Sequence, residues 1–198
     1  MNFLKRTIRG ATPIDNSSAL IPQHIEKMSE LNEWEATNIY EAMKKHLTER
    51  KNITINVEWL KKVHKDMFDK TWTWAGTTRK SNLNIGVDST IIQMELKKLV
   101  DDMLYWGGPH AIMSVLEQSI RIHHRLVKIH PFVNGNGRHA RLVSDIFLFS
   151  RSHKLPNWPN NDLIKESNIR NKYIEALKDA DKGSYGSLED FTASLLDK

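Results

Sequence analysis

The sequence predicts an all-α domain, and three observations carry that expectation. Apolar residues recur at helical spacing in one stretch after another between Ser29 and Leu196. Helix-breaking clusters divide the stretches: Gly107-Gly108-Pro109, Asn134-Gly135-Asn136-Gly137, Pro156 to Asn161, and Gly183 to Gly186. One interior segment, 77–87, is instead β-branched or turn-forming, with little helical signal.

In chain order, residues 1–28 have weak periodicity and contain Pro13, Asp15, Asn16, Ser17, Ser18 and Pro22. They read as an irregular arm packed on a single domain, 29–198. Leu31, Trp34, Ile39, Ala42, Met43 and Leu47 give a helical stripe over about 29–48, with Asn32 and Glu35 spaced as a capping box. Residues 56–69 form an amphipathic helix with Trp59, Leu60, Val63, Met67 and Phe68 inward. His64 lies beside that stripe and reads as a hydrogen-bonded structural histidine. A further helix, 89–106, leads to a central one over about 111–130. His123 and His124 lie on it without the glutamate spacing of a zinc-binding helix. Pro131 biases His130 out of the α region and ends that helix. Leu142, Val143, Ile146, Phe147 and Phe149 restore the pattern up to about Ser152. Helices near 162–180 and 187–196 complete the chain.

A chain of 198 residues can hold one domain with a real core. The absence of cysteine excludes disulfides, zinc thiolates and thiol nucleophiles. Met1 to Gly10 lacks the apolar run of a signal peptide, and no stretch approaches the roughly 20 residues of a membrane span, so a cytoplasmic protein without a membrane partner is expected. The net charge of +5 favours acidic ligands. Without helix-turn-helix spacing, aromatic-basic interleaving or a zinc knuckle, it does not point to nucleic acid.

The chemistry concentrates in His130-Pro-Phe-Val-Asn-Gly-Asn-Gly-Arg-His-Ala-Arg141. A glycine turn feeding a helix N-terminus aims backbone N–H groups at one spot, which suits an anion. Arg138 and Arg141 then sit three apart on one face of the first turn, where each opposes the helix dipole by about 0.3–1 kcal/mol. A bound anion reverses the sign of that penalty, since both guanidinium forks and the backbone donors share it. His130 stands at the other lip of the turn, with a reference pKa near 6.5 that suits a general base.

These residues resemble the signature of the Fic (Fic/Doc, cell filamentation protein) family, H-x-F-x-(D/E)-G-N-G-R-x-x-R. Seven of its eight defined positions match, at His130, Phe132, Gly135, Asn136, Gly137, Arg138 and Arg141. The departure is Asn134, where the family has Asp or Glu. Trp74-Ala-Gly-Thr-Thr-Arg79 resembles a second family stretch, and Tyr173 with Leu177 a third. The arrangement is similar to the subgroup called mobile mystery protein B.

The resemblance implies a Fic-type helical fold with a short β-hairpin flap at about 77–87, along which a protein target lies extended. It implies a protein adenylyltransferase that moves AMP from ATP to a Ser, Thr or Tyr hydroxyl. His130 is then the base, and Asn134, Gly135, Asn136, Gly137, Arg138 and Arg141 bind the nucleotide. In the family the residue at 134 holds Mg²⁺. The neutral amide of Asn134 is a weaker ligand for a hard cation, which implies low turnover. Fic proteins with an inhibitory helix carry (S/T)-x-x-x-E-(G/N). Ser29 to Glu33 matches its first part, which makes Glu33 the inhibitory candidate opposite Arg141. The alternatives are a weak or inactive nucleotide- or protein-binding module, and transfer from another nucleotide such as UTP. The target, self-association and need for an antitoxin stay open.

Overall fold

A computed structural model of the chain describes residues 17–49, 53–108 and 111–196. The first sixteen residues of the expected arm lie outside them. Eight α-helices are present among the described residues: α1 Met28–Leu47, α2 Val57–Phe68, α3 Ile92–Trp106, α4 Val115–Ile129, α5 Asn136–Ser150, α6 Asn160–Leu163, α7 Asn168–Asp181 and α8 Gly186–Ala193. None is long and apolar enough to cross a membrane.

The caps show where local chemistry sets the boundaries. Asn56 Oδ1 accepts from the Trp59 N–H at 2.7 Å to start α2. Ser114 and Glu117 exchange hydrogen bonds as a capping box on α4. For α1 the expected box of Asn32 and Glu35 is corrected: the helix begins a turn earlier, where Glu30 accepts from the N–H groups of Glu26 and Lys27. Glu35 is released for another task. The stretch expected as one helix over 162–180 is two, because Ser167 caps a new helix by accepting from the Arg170 N–H.

α5 is the central element. From His139 to Leu148 it is buried on every side, which a helix tolerates only inside a core. Its Val143 and Phe147 join Leu60, Met67 and Phe68 of α2, Leu96 and Leu99 of α3, and Leu126 of α4 in one apolar cluster. A second cluster gathers Ile120 of α4, Trp158, Leu163, Tyr173, Leu177 and Leu188. Leu20 and Ile25, before α1, are also buried. Each fully buried side chain of this size contributes about 1.5–3 kcal/mol. The two clusters clamp the α4–α5 turn from both sides and so fix the site.

The expected β-hairpin at 77–87 is corrected as well. The described residues contain no paired strands there. Thr78 bridges to Phe132, Arg79 N–H donates to the Pro131 carbonyl at 2.9 Å, and Val87 N–H donates to the Ile129 carbonyl at 3.3 Å. The Arg79 side chain donates to the carbonyls of His130, Ser81 and Val87. The segment therefore divides its main-chain groups between the α4–α5 turn and the Arg79 guanidinium, with no strand-to-strand pairing.

Candidate active site

The cleft opens where α4 ends and α5 begins. Its walls are His130, Asn134 to Arg138 and Arg141, facing Leu163 and Ile164, and Arg170, Tyr173, Ile174 and Leu177 of α7, with Ile85 at the rim. The sequence-predicted residues from 130 to 141 are thus brought together.

His130 caps α4 in the left-handed region, at φ 52° and ψ 59°. Pro131 explains this, since it denies the preceding residue the right-handed helical region. Bonds hold the strained backbone on both sides: His130 N–H to the Leu126 carbonyl at 3.0 Å, and Arg79 Nε to the His130 carbonyl at 2.8 Å. Nδ1 donates to the Val127 carbonyl at 3.3 Å, so Nε2 carries the lone pair. Burial pushes the imidazole down to about 4, with the Arg79 charge adding to the effect. At neutral pH it is unprotonated, the form a base requires. Gly86, at φ 101°, lies so close that a Cβ there would be 2.6 Å from that of His130.

The turn itself is built by Asn136. Its Oδ1 accepts from Phe132 N–H and its Nδ2 donates to the Phe132 carbonyl, both at 2.8 Å. The amide thus ties the turn together through its oxygen and one of its two N–H donors, and Asn136 still lines the cleft. Gly135 has φ 78°, and a Cβ on it would meet the Phe68 ring at 2.5 Å. Gly137 differs, its nearest neighbour being an Arg141 nitrogen at 3.8 Å. No side chain caps α5 and its first turn has no acidic residue, so its N–H groups and dipole face the cleft.

The two arginines have unlike surroundings. Arg138 donates to Glu35 Oε2 at 2.6 Å and to Asn134 Oδ1 at 3.4 Å, and lies over the Phe68 ring. Glu35 is anchored by Trp72 Nε1 at 2.8 Å. Arg141 is only 6% exposed, yet among the described residues no carboxylate lies within ion-pair distance of it. It faces the Tyr173 hydroxyl and the Trp158 ring. The neighbouring Asp145 accepts from Trp158 Nε1 instead, and burial pushes its carboxyl up to about 7. Asp145 and Arg141 still feel each other's charge, but the pair makes no direct ion contact, and a buried guanidinium offset so weakly is stabilised further by an anion.

Glu33 is not brought to the site. It is exposed, beside His24, Glu30, Trp34 and Thr37, and its carboxylate contacts neither arginine. The carboxylate that reaches them is Glu35, and it takes Arg138. The signal was in the periodicity: Leu31, Glu35, Asn38 and Ala42 share the buried face of α1. His64 is the hydrogen-bonded structural histidine that its place in the sequence suggests. Its Nδ1 accepts from Gly76 N–H at 2.9 Å, so Nε2–H donates to the Asn134 carbonyl at 3.0 Å, and the ring stacks on Phe132. Arg170 carried no sequence signal beyond its place three residues before Tyr173.

The residues present do not fit a protein-held Mg²⁺. No carboxylate lines the cleft, and the described residues contain no cluster of three His, Asp or Glu side chains able to hold a metal. Asn134 Oδ1 already accepts from Gly135 N–H at 2.7 Å and from Arg138.

Comparison with known proteins agrees with this geometry. Residues 54–148 match the model of the Fic/DOC family. The chain is 36% identical over 59 residues to a Fido domain-containing protein of Dictyostelium discoideum, a match covering 28% of this chain and 41% of that protein. It is 34% identical over 76 residues to the protein adenylyltransferase Fic of Drosophila yakuba, covering 38% of this chain and 14% of that one. The chain thus spans well under half the length of these relatives. Its fold is similar to that of the Bartonella tribocorum effector BepC with bound AMPPNP, with a TM-score of 0.67 at 19% identity, covering 98% of this chain and 95% of that one. Residues 54–148, just under half of the chain, are thus similar in sequence to the Fic/DOC family, and the fold as a whole is similar to that of solved Fic domains.

Proposed function

We propose that the chain is a protein adenylyltransferase that moves AMP from ATP onto a Ser, Thr or Tyr hydroxyl of a protein target. The observation that carries this reading is Arg141, a buried guanidinium with no carboxylate in ion-pair contact among the described residues, opening onto the same cleft as a neutral imidazole. The triphosphate tail lies against Arg141, Arg138 and the first-turn N–H groups of α5. The base packs on the apolar wall of Leu163, Ile164, Ile174 and Leu177.

His130 Nε2 takes the hydroxyl proton as the target oxygen attacks the α-phosphorus. The new oxygen–phosphorus bond replaces the one to the β-phosphate, and pyrophosphate leaves. A base held down to about 4 is matched less closely to neutral pH than an ordinary imidazole, which fits modest turnover. The target lies along 77–87, where Ile85 reaches the cleft. A second reading, a nucleotide-binding module with little or no transfer, is favoured by one contact. Glu35 occupies the Arg138 fork that phosphate would use.

Incubation with α-labelled ATP tests the proposal, with UTP alongside to settle nucleotide choice. His130→Ala is expected to lower labelling by about 10²–10⁴ while binding is retained. Equal labelling by the variant would remove His130 as the base. Binding without labelling in the unaltered chain would select the second reading.

A further inference from the structure

We infer that this cleft holds its polyphosphate ligand without a divalent cation, with Arg138, Arg141 and Arg170 supplying the counter-charge. The inference rests on the nucleotide reading above and specifies its chemistry.

The donor set argues for it first. Three guanidinium groups line the cleft and no carboxylate does. Hard divalent cations select carboxylate oxygens, whereas planar guanidinium forks match phosphate oxygens bidentately.

The second argument is the state of Asn134. Its Oδ1 is aimed at two donors, the N–H of Gly135 at 2.7 Å and Nη2 of Arg138 at 3.4 Å. A cation ligated there would have to displace both and sit beside a like charge. The side chain acts instead as a brace that keeps the Arg138 fork near the α5 N-terminus. His64 fixes the same residue from below through its carbonyl.

The third is the placement of α7. Arg170 donates to the Leu163 carbonyl, which stations its guanidinium at the cleft wall. Three residues on, Tyr173 turns its hydroxyl to Arg141. One helix thus brings the third cation and positions the second.

Calorimetric titration of the whole chain with AMPPNP, once in EDTA and once in excess Mg²⁺, tests this. The dissociation constants should agree within about threefold or favour EDTA. Asn134→Asp should introduce a preference for Mg²⁺ of about tenfold or more. Arg170→Gln should weaken binding in EDTA by about tenfold, a loss that persists at temperatures well below the variant's melting temperature, where it is fully folded. Binding seen only with Mg²⁺ would overturn the inference and leave the nucleotide reading standing. No binding in either buffer, by the unaltered chain and by Glu35→Gln, would overturn the nucleotide reading itself.

Discussion

The two faces of the α4–α5 turn are made of similar residues and behave oppositely. On the underside, polar groups are tied off: Asn136 uses both ends of its amide on Phe132, and His64 uses both ring nitrogens on Gly76 and Asn134. On the cleft side, Arg141 has no carboxylate within ion-pair distance among the described residues, and the first turn of α5 is uncapped by any side chain. The underside behaves as a structural element whose interactions are complete within the fold. The cleft face, in the reading proposed above, is completed by an anion.

Two glycines separate the faces most sharply. Gly135→Ala puts a methyl against Phe68 on the underside at an unfavourable φ. It should destabilise the fold by about 2–5 kcal/mol, read as a fall in the thermal midpoint. Gly137→Ala meets nothing closer than 3.8 Å. It should leave stability unchanged or raise it by up to about 1 kcal/mol, while weakening nucleotide binding because the methyl enters the cleft. Equal effects of the two would erase the distinction between the faces.

Acidification probes the buried side as a whole. Burial holds His64 well below 6.5, His123 at about 3, and His130 and His139 at about 4. With folded values below unfolded ones, the unfolded chain binds more protons, so stability is full above 6.5 and is lost as pH falls toward 4. Asp145, raised to about 7, works in the opposite sense as one group against four. The net loss between pH 7 and 4.5 should be on the order of 5 kcal/mol. A flat melting profile over that range would refute the buried-neutral assignment.

The smallest effects concern α1. Glu33→Gly should leave labelling unchanged and alter stability by no more than about 0.5 kcal/mol, since the side chain is exposed. Glu35→Gln should tighten nucleotide binding by freeing Arg138, at a stability cost of about 1–3 kcal/mol. A rise in labelling with Glu33→Gly would restore that residue as the inhibitory group.

Much of this was legible in the sequence, for identifiable reasons. The helices were readable because their apolar stripes are regular. The turn from His130 to Arg141 was readable because its chemistry is contiguous. What escaped depends on contacts across the chain. Glu35 meets an arginine over a hundred positions away, and Glu33, two residues earlier, looked equally suitable until α1 was oriented. Segment 77–87 has strand-like residues, yet Arg79 binds its carbonyls and those of the neighbouring turn, which no local pattern announces. The bond of the Asn136 amide to both main-chain groups of Phe132 likewise has no local signal.

The central claim is that Arg141 is buried for the sake of an anion, and Arg141→Met tests it most directly. Relief of a buried charge that Asp145 offsets only weakly should raise the melting temperature, while AMPPNP affinity measured by calorimetry falls by about tenfold or more. A lower melting temperature with unchanged affinity would show that Arg141 serves the fold and not the nucleotide.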